Sequence, residues 1–372
     1  MVVRYEGWMS RVASDQPGDL EWLRGFVSPG FEMSVGGAAS SPAFASRVSL
    51  REDRVVYEQL RAVAVGSGRE ETAFLQDSGT LRIAVGDLPD GSVAAYEPTF
   101  KAAYRFAPCG DISIYDSPGP RAGRHARGAL MRAVRERAMD HVLRTGGVIL
   151  HAAAAAYLGR AILFAGAKRS GKTSLLSALL GRCKEFSFLS NDRVVLVPEK
   201  PRVRARALPS IVSIRPDSLR FVPGLDSHLS GIVADYCGRQ SDHGNEQSVP
   251  PLSPRQYVDA LETGAVGVAA FHSLVFPRID AGIAGFTCRE MRVDDVLERP
   301  SEFLFGHASL GDRTGLFASP ASGEFPAASV LLERARGMLQ RVRCHELSVG
   351  RDAYTPANTR ALGDALVRLM ES

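Results

Sequence analysis

The sequence predicts an α/β fold organised around a strand, a glycine-rich loop and a helix at residues 161–180, with a β-rich N-terminal domain ahead of it. Three observations carry that prediction. Ala161-Ile-Leu-Phe-Ala165 is an apolar run of strand length. Gly166-Ala167-Lys168-Arg169-Ser170-Gly171-Lys172-Thr173 fits the pattern G-x-x-x-x-G-K-[ST] in full. Ser174-Leu-Leu-Ser-Ala-Leu-Leu180 is rich in good helix formers.

At 372 residues the chain exceeds the usual size of one domain, so two are expected. Hydrophobic residues make up 45% and charged residues 23%, a composition that folds and argues against long disorder. The net charge is +4, and no basic block interleaved with aromatics occurs, so nucleic acid is not expected as a partner. The cysteines, Cys109, Cys183, Cys237, Cys288 and Cys344, form no Cys-x-x-Cys pair, which excludes a zinc ribbon or disulfide framework and leaves buried reduced thiols as the expectation. No apolar h-region opens the chain, and no stretch approaches the roughly 18 apolar residues of a membrane span. A cytoplasmic location with no membrane partner is the expectation.

Along the chain, Arg54 to Tyr57, Phe74 and Leu75, the alternation Leu81, Ile83, Val85, and Ile112, Ile114 read as short strands, with Asp77-Ser78-Gly79 as a tight hairpin turn. Ser117-Pro-Gly-Pro-Arg-Ala-Gly123 is the clearest linker signal and sets a domain boundary near residue 120, giving domains 1–120 and 121–372. Leu130, Val134, Ala138 and Val142 then recur at helical spacing, and Gly146-Gly147 stands where a left-handed C-cap belongs. Val148 to Tyr157, a turn at Gly159, and Ala161 to Ala165 read as a hairpin, although the polyalanine run within it suits a helix equally well by propensity. Val194 to Val197, Ile211 to Ile214 and Leu274 to Phe276 are strand candidates, and Pro223 to Pro254 is an insertion with the composition of a surface loop or a mobile flap. Val330 to Leu339 and Leu362 to Met370 read as helices around a strand at Cys344 to Val349.

The loop carries the chemistry. Its glycines let successive N–H groups turn toward phosphate oxygens, and the following helix adds the partial positive charge of its N-terminus, so Gly166 through Ser174 form the expected nucleotide-binding stretch. Lys172 would reach the β- and γ-phosphates of ATP, and the Thr173 hydroxyl would ligate Mg2+. The chain has five lysines, and two of them, Lys168 and Lys172, fall in this loop. Lys168 and Arg169 could add charge near the γ-phosphate or simply be solvated. Downstream, Phe186-Ser-Phe-Leu-Ser-Asn191-Asp192 delivers an amide and a carboxylate at a strand end, where they could hold the metal or, for Asp192, take the proton of an attacking hydroxyl. His151 sits on the strand before the loop.

Taken together, Leu150-His151, the hairpin, the loop fifteen residues on, and Leu-Ser-Asn-Asp192-Arg-Val-Val resemble the HPr kinase/phosphorylase family, and more closely the HPr-kinase-like proteins of bacterial peptide-biosynthesis clusters. The resemblance spans about residues 130 to 215, and loosely Leu339 to Val349. It implies a P-loop kinase core of the HPr kinase and phosphoenolpyruvate carboxykinase type, and transfer of the γ-phosphoryl group of ATP to a serine or threonine hydroxyl of a peptide or small protein. It further implies Asp192 as base, His151 as its neighbour in proton handling, Lys172 as phosphate clamp, Thr173, Asn191 and Asp192 around magnesium, and a homo-oligomer. Asn191 stands where the family often has a first Asp, and the glycine-rich Arg signature that follows the Asp pair in HPr kinases is not evident. Residues 1 to 115 resemble no named family and could recognise the substrate. The loop alone also suits a kinase of a small hydroxylated metabolite, or a nucleotide-gated regulator that is no kinase.

Overall fold

The computed structural model describes residues 1–35, 46–76, 79–116, 122–214, 252–305, 315–317 and 325–371. It is a mixed α/β chain with two sheets. Contacts gather it into two compact units, Met1–Gly146 with Gly306–Ala328, and Gly147–Phe305 with Ser329–Ser372.

The first unit holds strands β1 (Val2–Tyr5), β2 (Trp8–Ser14), β3 (Glu32–Ser34), β4 (Ser46–Arg51), β5 (Arg69–Gln76), β6 (Gly79–Asp87), β7 (Val93–Glu97), β8 (Ala102–Phe106) and β9 (Ile112–Asp116), in the order β3-β1-β2-β4-β9-β8-β7-β6-β5. β4 runs parallel to both β2 and β9, while the other neighbours are antiparallel. The β1–β2 turn takes Glu6 at φ 47° and Gly7 at φ 81°, the double left-handed geometry whose twist suits a two-residue hairpin. Strands β5 and β6 pair outward from Gln76 and Gly79. Asp77 and Ser78 of the expected turn lie outside the described residues, as do 117–121 of the linker and 223–251 of the insertion.

Helices α1 (Pro17–Val27), α2 (Arg54–Gly66) and α3 (Ala122–Arg144) belong to this unit. The expected strand at Arg54 to Tyr57 is corrected by α2. Asp53 caps that helix, its carboxylate accepting the Val56 N–H at 3.0 Å, and Tyr57, Leu60 and Ala64 bury one helical stripe. Four residues of Val and Tyr are too short a window to separate the two periods. In α3 the expected stripe of Leu130, Val134, Ala138 and Val142 is buried, and Gly146 follows at φ 103° as the left-handed end. Four of its charged residues, Arg132, Glu136, Arg137 and Asp140, are buried too. Arg132 pairs with Glu97, which also accepts the Tyr104 hydroxyl at 2.6 Å, as burial of charge requires. The returning residue Phe317 packs edge-on against Tyr104 and Phe106, at centroid distances of 5.8 and 5.0 Å.

The second unit holds β10 (Val148–Tyr157), β11 (Arg160–Ala165), β12 (Ser187–Ser190), β13 (Arg193–Glu199), β14 (Arg202–Ala207), β15 (Val268–Ile279), β16 (Phe286–Met291) and β17 (Arg343–Val349). Their order is β11-β10-β13-β14-β15-β17-β16, and β11 also pairs in parallel with β15, so five of the strands close into a ring. The expected hairpin of β10 and β11 forms, with Leu158 and Gly159 at φ 45° and 76° in its turn. Helix α4 (Lys172–Arg182) explains the polyalanine. Ala153 and Ala155 share a core with Leu175, Leu176 and Leu179 of α4, and small side chains on the strand let that helix sit close. Burial of each such leucine contributes about 1.5–3 kcal/mol.

The C-terminal helix Pro356–Glu371 and the short helix Pro254–Ala260 complete this core through Leu362, Leu366, Met370 and Tyr257. Ile211 to Ile214 is not a strand. It contributes one isolated bridge, Val212 to Leu252. The expectation of buried cysteines holds for Cys183 and Cys344 and is corrected for Cys109 and Cys288, which are exposed, while Cys237 lies outside the described residues. Among the described residues no helix is long and apolar enough to cross a membrane.

Candidate functional site

Strand, loop and helix follow in the expected order at the carboxyl end of β11. Gly166 adopts φ 138°, Arg169 φ 73° and Gly171 φ 98°, so three of six successive residues take positive φ. A Cβ on Gly166 would meet Ser170 Oγ at 2.9 Å, and one on Gly171 would meet Ile279 and the Tyr354 hydroxyl at 3.4 Å. The loop is closed by the Ser170 N–H donating to Ala167 O at 3.1 Å, and Gly171 O accepts the first helical N–H from Leu175 at 2.8 Å. The N-cap of α4 is Gly171, which supplies no side-chain cap, and a helix N-terminus carries partial positive charge.

Lys172 is buried and bends back over the loop, its Nζ donating to Gly166 O at 2.6 Å and Ala167 O at 3.2 Å. A cation is thus stored on the loop's own carbonyls. Ser170 Oγ is buried with no hydrogen-bond partner among the described residues. Ala167, Lys168 and Arg169 are exposed at the tip, and Thr173 and Ser174 are half-buried on the first turn of α4.

The register of the β10–β11 hairpin brings the second group of residues to this loop. Ala152 pairs with Ala165, so His151 and Gly166 are the next residues outward on adjoining strands. Asp192 O accepts the Ala152 N–H at 3.0 Å, which fixes the bend before β13 at the same end of the hairpin. There His151 Nε2 lies 3.4 Å from Asp192 Oδ1, and Arg193 Nε lies 3.3 Å from Asp192 Oδ2. Asn191 is buried. Its Nδ2 donates to Ile211 O at 3.2 Å, and its Oδ1 has no hydrogen-bond partner among the described residues.

A short segment ties the two groups together. Following the helix Val293–Leu297, the residues from Pro300 to Phe305 run past both. Glu302 O accepts the Gly166 N–H at 2.8 Å, Phe303 O accepts the His151 N–H at 2.8 Å, and the Phe305 N–H donates to Ile149 O at 2.9 Å. The Phe305 ring lies under the Arg193 guanidinium, 4.1 Å from it. Sequence reasoning missed Arg193 and this segment. Arg193 sits beside Asp192 in the sequence and was open to notice, whereas Glu302 and Phe303 make their contacts through backbone groups that every sequence shares, and the Phe305 ring meets Arg193 from a distant part of the chain.

The geometry therefore offers a glycine-bearing loop ahead of a helix N-terminus, a buried ammonium resting on that loop, and a carboxylate flanked by an imidazole and a guanidinium. Among the described residues no group of three or more His, Cys, Asp and Glu side chains gathers as a ready-made metal centre. Cys344-His345-Glu346 lies along β17, where alternation separates its side chains. No protein-family model matches the chain, and no curated protein does. Among solved structures the chain is similar to the Hpr(Ser) kinase/phosphatase from Coxiella burnetii, at 9% identity over 60% of this chain and 99% of that one, with a TM-score of 0.29, a distant structural relation.

Proposed function

We propose that this protein is an ATP-dependent kinase that transfers the γ-phosphoryl group to a serine or threonine hydroxyl of a peptide or small protein. The observation that carries this reading is the hairpin register that sets Asp192 and His151 beside the first glycine of the phosphate loop. A nucleotide-binding regulator would use the loop and a carboxylate for its metal; the imidazole 3.4 Å from that carboxylate adds a route for an acceptor's proton, which favours a kinase.

The residues present fit the nucleotide and its metal. The loop has glycine where a Cβ would collide, an uncapped helix end, and a hydroxyl on Ser170 without a partner. Thr173, the unpartnered Asn191 Oδ1 and Asp192 supply the hard oxygen donors that Mg2+ takes. Bound there, magnesium would neutralise charge on the phosphate oxygens. Lys172 would exchange its contacts on Gly166 O and Ala167 O for phosphate oxygens, and the N–H groups of the loop and of the first turn of α4 would hold the β-phosphate.

Asp192 orients the acceptor hydroxyl and accepts its proton as the new O–P bond forms and the bond to the bridging oxygen breaks. His151, its Nε2 3.4 Å from Asp192 Oδ1, steadies that oxygen and passes the proton on. Asn191 cannot act as a base, so the proton chemistry rests on one carboxylate.

The test is incubation of the protein with Mg2+ and γ-labelled ATP, with and without serine-containing peptides, comparing wild type with Asp192→Asn. Label on a peptide serine with wild type alone supports the proposal. Label on small hydroxylated molecules only would move the acceptor class, and nucleotide binding with no labelled acceptor would overturn the kinase reading.

A further inference from the structure

We propose that Arg193, seated on the ring of Phe305, is a positioning residue that holds Asp192 in its reactive orientation; this inference rests on the kinase reading above. Asp192 belongs to a bend between β12 and β13, and its side chain is 31% exposed, so neither strand pairing nor close packing fixes where its carboxylate points. A carboxylate in that setting turns freely about its last torsion. Here each oxygen stands in an ion-pair contact with a different group, Oδ1 3.4 Å from His151 Nε2 and Oδ2 3.3 Å from Arg193 Nε, which makes no hydrogen bond of its own among the described residues.

What makes Arg193 a holder and not a solvated neighbour is its own burial. Its side chain is only 8% exposed, and its guanidinium stands 4.1 Å from the centre of the Phe305 ring. A guanidinium over an aromatic face is oriented as well as attracted, and burial removes the water that would otherwise compete for Asp192. Phe305 is itself tied by its N–H to Ile149 O at 2.9 Å, one strand residue removed from the bridge between Leu150 and Leu304. Arg193 and His151 are partners in the β10–β13 register, so the two groups that grip Asp192 start from adjoining points of one ladder. The two gripping side chains therefore start from a strand ladder and not from a loop.

Positioning of this kind shows in rate and not in nucleotide affinity. Displacing a reacting group by about 1 Å costs on the order of 100-fold, so Arg193→Met is expected to lower kcat roughly 10- to 100-fold while the Kd for ATP and the KM for ATP stay within about twofold of wild type. Phe305→Leu leaves the charge in place and removes its seat, and a smaller fall in kcat is expected. Arg193→Lys keeps the charge without the planar face and is expected to recover part of the loss.

A purely structural role would instead lower the thermal midpoint and ATP affinity together with kcat, in both Arg193→Met and Phe305→Leu. That pattern, or a wild-type kcat in Arg193→Met, would overturn the proposal. A second readout does not need phosphoryl transfer. The Arg193 Nε–H resonance is expected to be slow to exchange and to move on Asp192→Asn. Fast exchange, or no response to Asp192→Asn, sinks the Arg193 proposal even if the kinase reading stands. Absence of any labelled acceptor with a protected, responsive Nε–H sinks the kinase reading while leaving the Arg193 to Asp192 grip in place.

Discussion

Ala152 faces Ala165 across the β10–β11 hairpin, and this one pairing sets the distance between the phosphate loop and the His151 to Asp192 pair. Neither alanine can take part in chemistry. Together they fix a register, and a one-residue slip would send His151 to the opposite face of the sheet.

Lys172→Ala removes the ammonium now resting on Gly166 O and Ala167 O. Phosphoryl transfer is expected to fall about 10²- to 10³-fold, as for loss of other groups aimed at developing charge. Single-turnover assays at saturating ATP measure it. A loss confined to the KM for ATP would assign Lys172 to ground-state binding alone.

Gly166→Ala forces a Cβ to 2.9 Å from Ser170 Oγ at a φ of 138°. An expected cost of about 1–3 kcal/mol from the backbone alone should appear as a lower unfolding midpoint and weaker ATP binding. Arg169→Gly at φ 73° runs the other way, relieving left-handed strain of about 1–2 kcal/mol, offset in part by the greater freedom of glycine in the unfolded chain. Its unfolding midpoint is expected at or above that of wild type.

Asp53→Ala removes the cap of α2, whose carboxylate accepts the Val56 N–H at 3.0 Å. A loss of about 1 kcal/mol is expected in urea unfolding of the full chain. No change would remove the capping account of why this stretch is a helix.

His345 and His272 are both held below their ordinary value of 6.5, chiefly by burial; nearby arginines act in the same direction, and Glu290 partly opposes the effect at His345. A histidine whose folded pKa is depressed binds fewer protons folded than unfolded, so stability is complete above about 6.5 and declines as pH falls below it. Unfolding by urea between pH 7.5 and 5.5 should show that decline. His345→Gln should flatten it relative to wild type.

The hairpin and the loop were legible because their signals are local. Gly159 sits at a turn, a fixed motif follows an apolar run, and α3 repeats its buried stripe at Leu130, Val134, Ala138 and Val142. The α2 helix was not, because Val55 and Val56 suit a strand and only Asp53 before them and Leu60 and Ala64 after them turn the balance. Ile211 to Ile214 is apolar for burial and not for pairing, with Val212 and Ile214 in the core. The position of Asp192 beside the loop depended on which strands pair, and the choice of β13 as the neighbour of β10 is a long-range fact that no local pattern encodes. The same holds for Phe305, some 110 residues from the arginine it seats.

Because β11 is paired on both sides, with β10 antiparallel and β15 parallel, its amides between Ala161 and Phe164 have no solvent-facing edge through which to open. Hydrogen exchange there should require disruption of the closed ring itself, while the tip at Lys168 and Arg169 exchanges freely. A change of shape in the loop would therefore leave the strand that anchors it in place. The paired strand and the unpaired loop meet at a single peptide bond, that between Ala165 and Gly166.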